Sequence, residues 1–221
     1  MNVLVIGASR GIGLEFVQQY LAAGDRVIAT ARDDAALEHL RGLGAVALKL
    51  DVADPASISG LAWQLDGEKL EVALYVAGVM TRADARTPPT QPDFDHVIHT
   101  NVLGAMQAIP QVAPWVEEAN GKFAFITSGM AQIGEVESSF GWTYRVSKAA
   151  LNMAVVAAQN DYAKATFIAL CPGWVQTDMG GASAPLTVEE SVSAMRKTLS
   201  KVTNKDRGRY LHHDGQPYTS W

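Results

Sequence analysis

Tyr144 and Lys148 stand four residues apart in Tyr144-Arg145-Val146-Ser147-Lys148. On a helix that spacing puts both side chains on one face, with Cβ atoms about 5–6 Å apart. A free phenol ionises near pH 10, too high for easy proton exchange at neutral pH, and a neighbouring ammonium favours the phenolate. The pair could therefore give and take a proton, and Lys148 could also hold ribose hydroxyls. By itself, Tyr-x-x-x-Lys also describes many solvent-facing helices, so its neighbours decide its worth. Ser128 follows the apolar run 123–127, which places its hydroxyl at a strand's carboxyl end, where it can hold a substrate oxygen. Asn101 lies inside a helical stretch where an amide side chain is a poor helix former, and it suits the holding of a water for proton relay. Pro172-Gly173-Trp174-Val175-Gln176-Thr177 forms a rigid turn whose backbone and Thr177 can dock a carboxamide.

A second constellation binds phosphate. Gly7-Ala8-Ser9-Arg10-Gly11-Ile12-Gly13 joins an apolar run to an amphipathic segment with Leu14, Val17 and Leu21 at helical spacing. Glycines there permit a sharp turn, a close backbone approach to a pyrophosphate and tight helix packing, and the helix N-terminus offers free N–H groups. The choice of dinucleotide turns on the end of the second strand, where an acid would hold the 2′-hydroxyl of NAD and an arginine the 2′-phosphate of NADP. That strand ends Ala29-Thr30-Ala31-Arg32, with Asp33 and Asp34 only afterwards. Arg10 can reach the same phosphate, and two guanidiniums match it in charge and geometry, so NADP(H) is expected in preference to NAD(H). Asp51, with Val52, closes the third strand and can accept from an adenine amino group; Asp54 before Pro55 is the better helix cap.

These groups need a frame that gathers them. Strands are expected at 3–6, 26–30, 45–50, 72–77, 122–127, 166–170 and 209–211. Helices are expected at 12–23, 34–43, 55–65, 94–118, 143–162 and 188–200. This alternation predicts an α/β Rossmann fold: a single domain over 1–221 with a doubly wound seven-stranded parallel sheet and helices on both faces. The proline-rich stretch 81–93 reads as a loop beyond a strand's carboxyl end, where ligands approach such sheets. The chain has 221 residues, 48% hydrophobic and 19% charged, with a net charge of −5, which gives no footprint for nucleic acid. No apolar run is long enough to span a bilayer, the N-terminus has no basic leader, and Cys171 is the lone cysteine, expected as a small core residue. A cytoplasmic location follows as the expectation. The five histidines show no metal-ligand spacing, so no metal is expected. Alanines on several faces of the Tyr144 helix suggest that it packs against a second subunit as well as the sheet, giving a homodimer or homotetramer through this helix and 94–118.

With the glycine turn, Asp51, Ala77-Gly78, Asn101, Ser128, Tyr144, Lys148 and Pro172-Gly173 in order, the chain resembles the short-chain dehydrogenase/reductase family along its whole length. The stretches 172–181 and 208–215 are similar to the branch containing the C-factor and Sniffer-type carbonyl reductases. The resemblance implies that Tyr144 protonates a carbonyl oxygen, that Ser128 steadies it, that Lys148 depresses the tyrosine pKa and that Asn101 completes the relay. Two departures, Ile6 for the family's threonine and Tyr75-Val76 for its Asn-Asn, touch hydrogen bonds that brace the sheet. The Ser128–Tyr144 interval is long through 135–142. The segment between Gly180 and Glu190 is short, which suggests an open pocket lined by Met80, Trp142, Trp174 and Met179 and suited to small apolar or aromatic carbonyls. A non-catalytic NADP(H) sensor is the rival expectation. A sugar-nucleotide epimerase would need a larger C-terminal substrate region.

Overall fold

A run in which every side chain from Val3 to Ile6 is buried forms β1 (Asn2–Ile6), an interior strand of the computed structural model, which describes residues 1–221. Its companions are β2 (Arg26–Ala31), β3 (Val46–Lys49), β4 (Val72–Tyr75), β5 (Lys122–Ile126), β6 (Thr166–Cys171) and β7 (Arg209–His212). All pair in parallel in the order β3-β2-β1-β4-β5-β6-β7. Because side chains alternate along a strand, β1 feeds two cores. Val3 and Val5 join the layer of α1 (Gly11–Ala22), α2 (Asp34–Leu43) and α8 (Val188–Lys201). Leu4 and Ile6 join the layer of α3 (Pro55–Ser59), α4 (Leu61–Gln64), α6 (Gly104–Glu118) and α7 (Trp142–Gln159). This is the doubly wound seven-stranded sheet expected. Its strand order reverses between β1 and β4, and ligands bind such sheets at that switch point. No helix is long and apolar enough to cross a membrane.

The helices differ from expectation in informative places. The expected helix 94–118 is interrupted: α5 (Gln91–Ile98) passes through a π-helical turn, His99–Leu103, into α6. At the turn the buried Tyr75 hydroxyl donates to the Thr100 carbonyl at 2.8 Å, offering that carbonyl a partner outside the helix. The helix also starts earlier than 94, at Gln91, because Pro92 is tolerated in a first turn and Thr90 caps it, accepting from the Asp93 N–H. The expected helix 55–65 is two pieces broken at Gly60. Asp54 caps α3 by accepting from the Ala56 N–H.

Candidate active site

The carboxyl ends of β1, β2, β4, β5 and β6 open into one cleft of about 1180 Å³. At one end is the glycine turn. Gly7 adopts φ +88°, and a Cβ there would lie 2.7 Å from the Ala77 nitrogen, so only glycine lets the turn close against Ala77-Gly78. The first turn of α1 has no side-chain cap, so its N–H groups face whatever occupies the cleft. Gly7, Ser9, Arg10, Gly11, Ile12, Gly13, Arg32, Asp51, Val52, Ala77 and Gly78 all line this end. Arg32 makes no ion pair, whereas both acids behind it are engaged elsewhere. Asp33 caps α2 by accepting from the Ala36 N–H at 2.9 Å, and Asp34 pairs with Lys49 at 2.8 Å. Arg10 reaches across the cleft to Asp178, with 75% of its side chain and 79% of its partner's exposed. So exposed a pair contributes little and yields readily to a better partner.

The other end holds Ser128, Tyr144 and Lys148. Ser128 follows β5 and accepts the Met130 N–H at 3.1 Å, so its own hydrogen can point towards the Tyr144 oxygen and the cleft. Tyr144 and Lys148 lie on the first turns of α7, both buried. The ammonium of Lys148 is 5.7 Å from the Tyr144 ring centre and donates to the Ile126 carbonyl at 2.8 Å. Burial pushes Tyr144 up to about 12, with the Ser128 hydroxyl pulling the other way and Cys171 adding to the rise. Burial likewise pushes Lys148 down to about 8. The expected depression of the tyrosine by the lysine is therefore not what this geometry gives. Loss of solvent is the largest influence on Tyr144, outweighs the Ser128 hydroxyl and favours the neutral phenol.

Asn101 is the clearest correction. It does not line the cleft. Its side chain is fully buried, accepts from the Val79 N–H (2.8 Å), and donates to the Val79 carbonyl (2.8 Å) and the Ser147 hydroxyl (2.9 Å). Ser147 in turn donates to the Tyr144 carbonyl at 2.7 Å. Both amide hydrogens and one lone pair of the oxygen are spent in this way, which leaves a single acceptor site on Oδ1. The side chain clamps the loop after β4 to the helix that carries Tyr144. The second correction is Trp142, which lies outside the cleft, with its indole nitrogen buried and unpartnered. Gly141, at φ +67°, starts α7 just before it, and Phe140 lines the pocket instead.

Met80, Trp174 and Met179 line the substrate end, with Pro172, Gly173, Val175 and Thr177 along the loop after β6. The Thr177 hydroxyl accepts the Gly180 N–H at 3.0 Å, and Trp174 donates to the Gly180 carbonyl at 2.8 Å, so this loop is folded on itself. Sequence reasoning missed three groups here. Cys171 is a buried strand-end residue as expected, yet its sulfur also borders the cleft and accepts from the Gly129 N–H at 3.1 Å. Asp178 and Tyr218 line the cleft as well. Only folding brings them there, and no local spacing signalled either.

Comparison with known proteins agrees with this geometry. Residues 1–185 match the family model described as short chain dehydrogenase. The chain is 32% identical over 225 residues to 1-hydroxy-2-glutathionyl-2-methyl-3-butene dehydrogenase of Rhodococcus sp. (strain AD45), covering 97% of each chain. It superposes on the NADPH-bound carbonyl reductase from chicken fatty liver with a TM-score of 0.90 at 32% identity, covering 100% of this chain and 98% of that one. It superposes on the carbonyl reductase Sniffer of D. melanogaster with a TM-score of 0.92 at 26% identity, covering 100% and 99%. The match runs from the glycine turn past the loop after β6, and relatives align end to end. The chain therefore belongs to the short-chain dehydrogenase family and is an oxidoreductase.

Proposed function

We propose that this oxidoreductase uses NADP(H) to interconvert a carbonyl and an alcohol on a small apolar or aromatic substrate, with Tyr144 as proton donor and acceptor. One observation carries the reading. A single cleft joins an uncapped helix N-terminus and two arginines at one end to a buried phenol, a buried ammonium and a serine hydroxyl at the other. The residues fit a dinucleotide: a Cβ at Gly7 would fill the cradle, Asp51 and Val52 sit where an adenosine end would lie, and Arg32 is unpaired. Arg10 and Arg32 would hold a 2′-phosphate, and the use of Asp33 as the cap of α2 argues against a 2′-hydroxyl partner there. Val175 and Thr177, on the loop after Pro172-Gly173, would flank the carboxamide. The carbonyl reductase from chicken fatty liver binds NADPH in the same fold, which supports the choice.

When bound, the dinucleotide supplies or accepts the hydride. The chain's own residues manage the oxygen and the proton. Ser128 donates to the substrate oxygen and Tyr144 donates its proton as that oxygen becomes basic. A phenol held neutral by burial is suited to giving a proton to an alkoxide, and Lys148 then stabilises the phenolate left behind. Asn101 acts at one remove, by fixing Val79 and, through Ser147, the start of α7. We also read the protein as a homodimer or homotetramer, because Met106 on α6 and Val146 and Met153 on α7 are 52%, 53% and 70% exposed.

The test is NADPH and NADH oxidation with a panel of aldehydes and ketones, using the wild type, Tyr144→Phe and Arg32→Ala. Tyr144→Phe should lower kcat by about 10²–10⁴ while NADPH still binds. Arg32→Ala should raise KM for NADPH with little effect on NADH. If wild type and Tyr144→Phe are equally inert while both bind NADPH, the protein is a sensor and not a reductase.

A further inference from the structure

The chain's last residues return to the cleft. After β7 the backbone turns and runs back alongside it. The His212 N–H donates to the Gln216 carbonyl (2.8 Å), Leu211 pairs antiparallel with Pro217, and the Tyr218 N–H donates to the Tyr210 carbonyl (3.0 Å). Four rings stack in a column. Trp221 and Tyr210 are 5.6 Å apart, Tyr210 and Tyr218 are 3.8 Å apart at 6°, and Tyr218 and His212 are 3.6 Å apart at 14°. The end is tied to the loop after β5, where Gln132 donates to the Ser220 hydroxyl (2.7 Å) and the Ile133 N–H to the Trp221 carbonyl (2.8 Å). Tyr218, held between two flat rings, has little freedom to move.

Its hydroxyl end meets the residues that handle the substrate oxygen. A Cβ on Gly129, the neighbour of Ser128, would lie 3.0 Å from the Tyr218 oxygen. The parallel hydroxyl of Tyr210 is already committed to the Ser128 carbonyl at 2.5 Å. The Tyr218 phenol lies near Cys171 and Tyr210 and borders the cleft, and burial raises its pKa, so it remains a donor throughout the neutral range. Much of the surrounding wall is apolar, with Met80, Met130, Phe140, Trp174 and Met179. Ser128 and Tyr144 are both needed at the reacting oxygen, and the Thr177 hydroxyl accepts from Gly180.

We propose that Tyr218 is a specificity-determining residue that touches the substrate, its hydroxyl donating to a second acceptor oxygen carried beside the reacting carbonyl. This rests on the reading of the site as a carbonyl reductase. A fixed donor rewards a substrate that matches it and is left unmatched by a plain hydrocarbon, so discrimination follows from one hydrogen bond.

The experiment uses benzyloxyacetaldehyde and 4-phenylbutanal, which share a shape and differ by an ether oxygen in place of a methylene. Both are assayed for NADPH-dependent reduction with the full-length wild type and Tyr218→Phe, a variant that keeps the ring and the stack. Tyr218→Phe should lose about tenfold in kcat/KM for the ether aldehyde, mainly through KM, and stay within about twofold for 4-phenylbutanal. Matching melting temperatures check that the stack is intact. Equal losses on both aldehydes, or none on either, overturn the role of Tyr218 while leaving the reductase reading in place. If the wild type reduces neither aldehyde nor any other carbonyl, the reductase reading fails and this inference falls with it.

Discussion

Lys148 shows how one residue can serve chemistry at the expense of stability. Its ammonium is almost wholly buried, and its pKa is pushed from 10.5 down to about 8 by loss of solvent. The unfolded chain therefore binds more protons than the folded one between about pH 8 and 10.5, so this group's contribution to stability rises with pH across that window. Lys148→Met should inactivate the enzyme yet raise stability at pH 7 by on the order of 2 kcal/mol. The gain should shrink as pH rises from about 8 and vanish only well above pH 10.5, where the amine is neutral in both states. Urea titrations of wild type and variant at pH 7 and pH 10, without added dinucleotide, measure it. A gap that widened with pH would show that the ammonium is not desolvated. The spacing of Tyr144 and Lys148 was visible in the sequence, and so were Ser128 and the glycines, because their roles depend on local geometry. The sign of the Tyr144 shift was not, because it depends on burial by distant strands and loops.

At the scale of elements, the π-helical turn between α5 and α6 is the feature most closely tied to the site. It carries Thr100 and Asn101, and Tyr75 at the end of β4 supplies the hydroxyl that engages the Thr100 carbonyl. Tyr75 thus places a bracing hydrogen bond between the sheet and the helix that faces it. Tyr75→Phe should cost about 1–2 kcal/mol by leaving the Thr100 carbonyl without that partner. It should also lower kcat modestly by loosening Asn101 and, through it, the start of α7. Chemical denaturation together with steady-state kinetics checks both effects, and a variant as stable and active as wild type would leave the turn without a cause. The interruption was hidden in the sequence because the stretch reads as one continuous helix. The competing hydroxyl comes from a residue that only the sheet brings near.

For the whole molecule, the two core layers leave the outer side of α6 and α7 with Met106, Val146 and Met153 in solvent. Apolar surface of this kind is stabilised by burial in a partner, and on closed symmetry the same patch would meet its own copy. Sedimentation at micromolar concentration should show a dimer or tetramer, and Met153→Glu should shift the population towards monomer without loss of secondary structure. A wild type that sediments only as monomer would remove the oligomer from the reading. The two arms of the cleft also depend on long-range closure. Arg10 and Asp178 are 168 positions apart and pair across it.

The sequence by itself determined the parallel sheet, the order of its elements, the phosphate turn at residue 7 and the Tyr144–Lys148 pair. These are written in period, in glycine placement and in spacings of a few residues, all of which are local. The tertiary structure alone decided that Asn101 is a buried clamp between Val79 and Ser147 and that Phe140, not Trp142, faces the pocket. It also decided that burial pushes the Tyr144 pKa up and that Tyr218 returns from the far end of the chain to stand beside Ser128. Each of these depends on what surrounds a side chain, and those surroundings come from strands and loops far away in sequence.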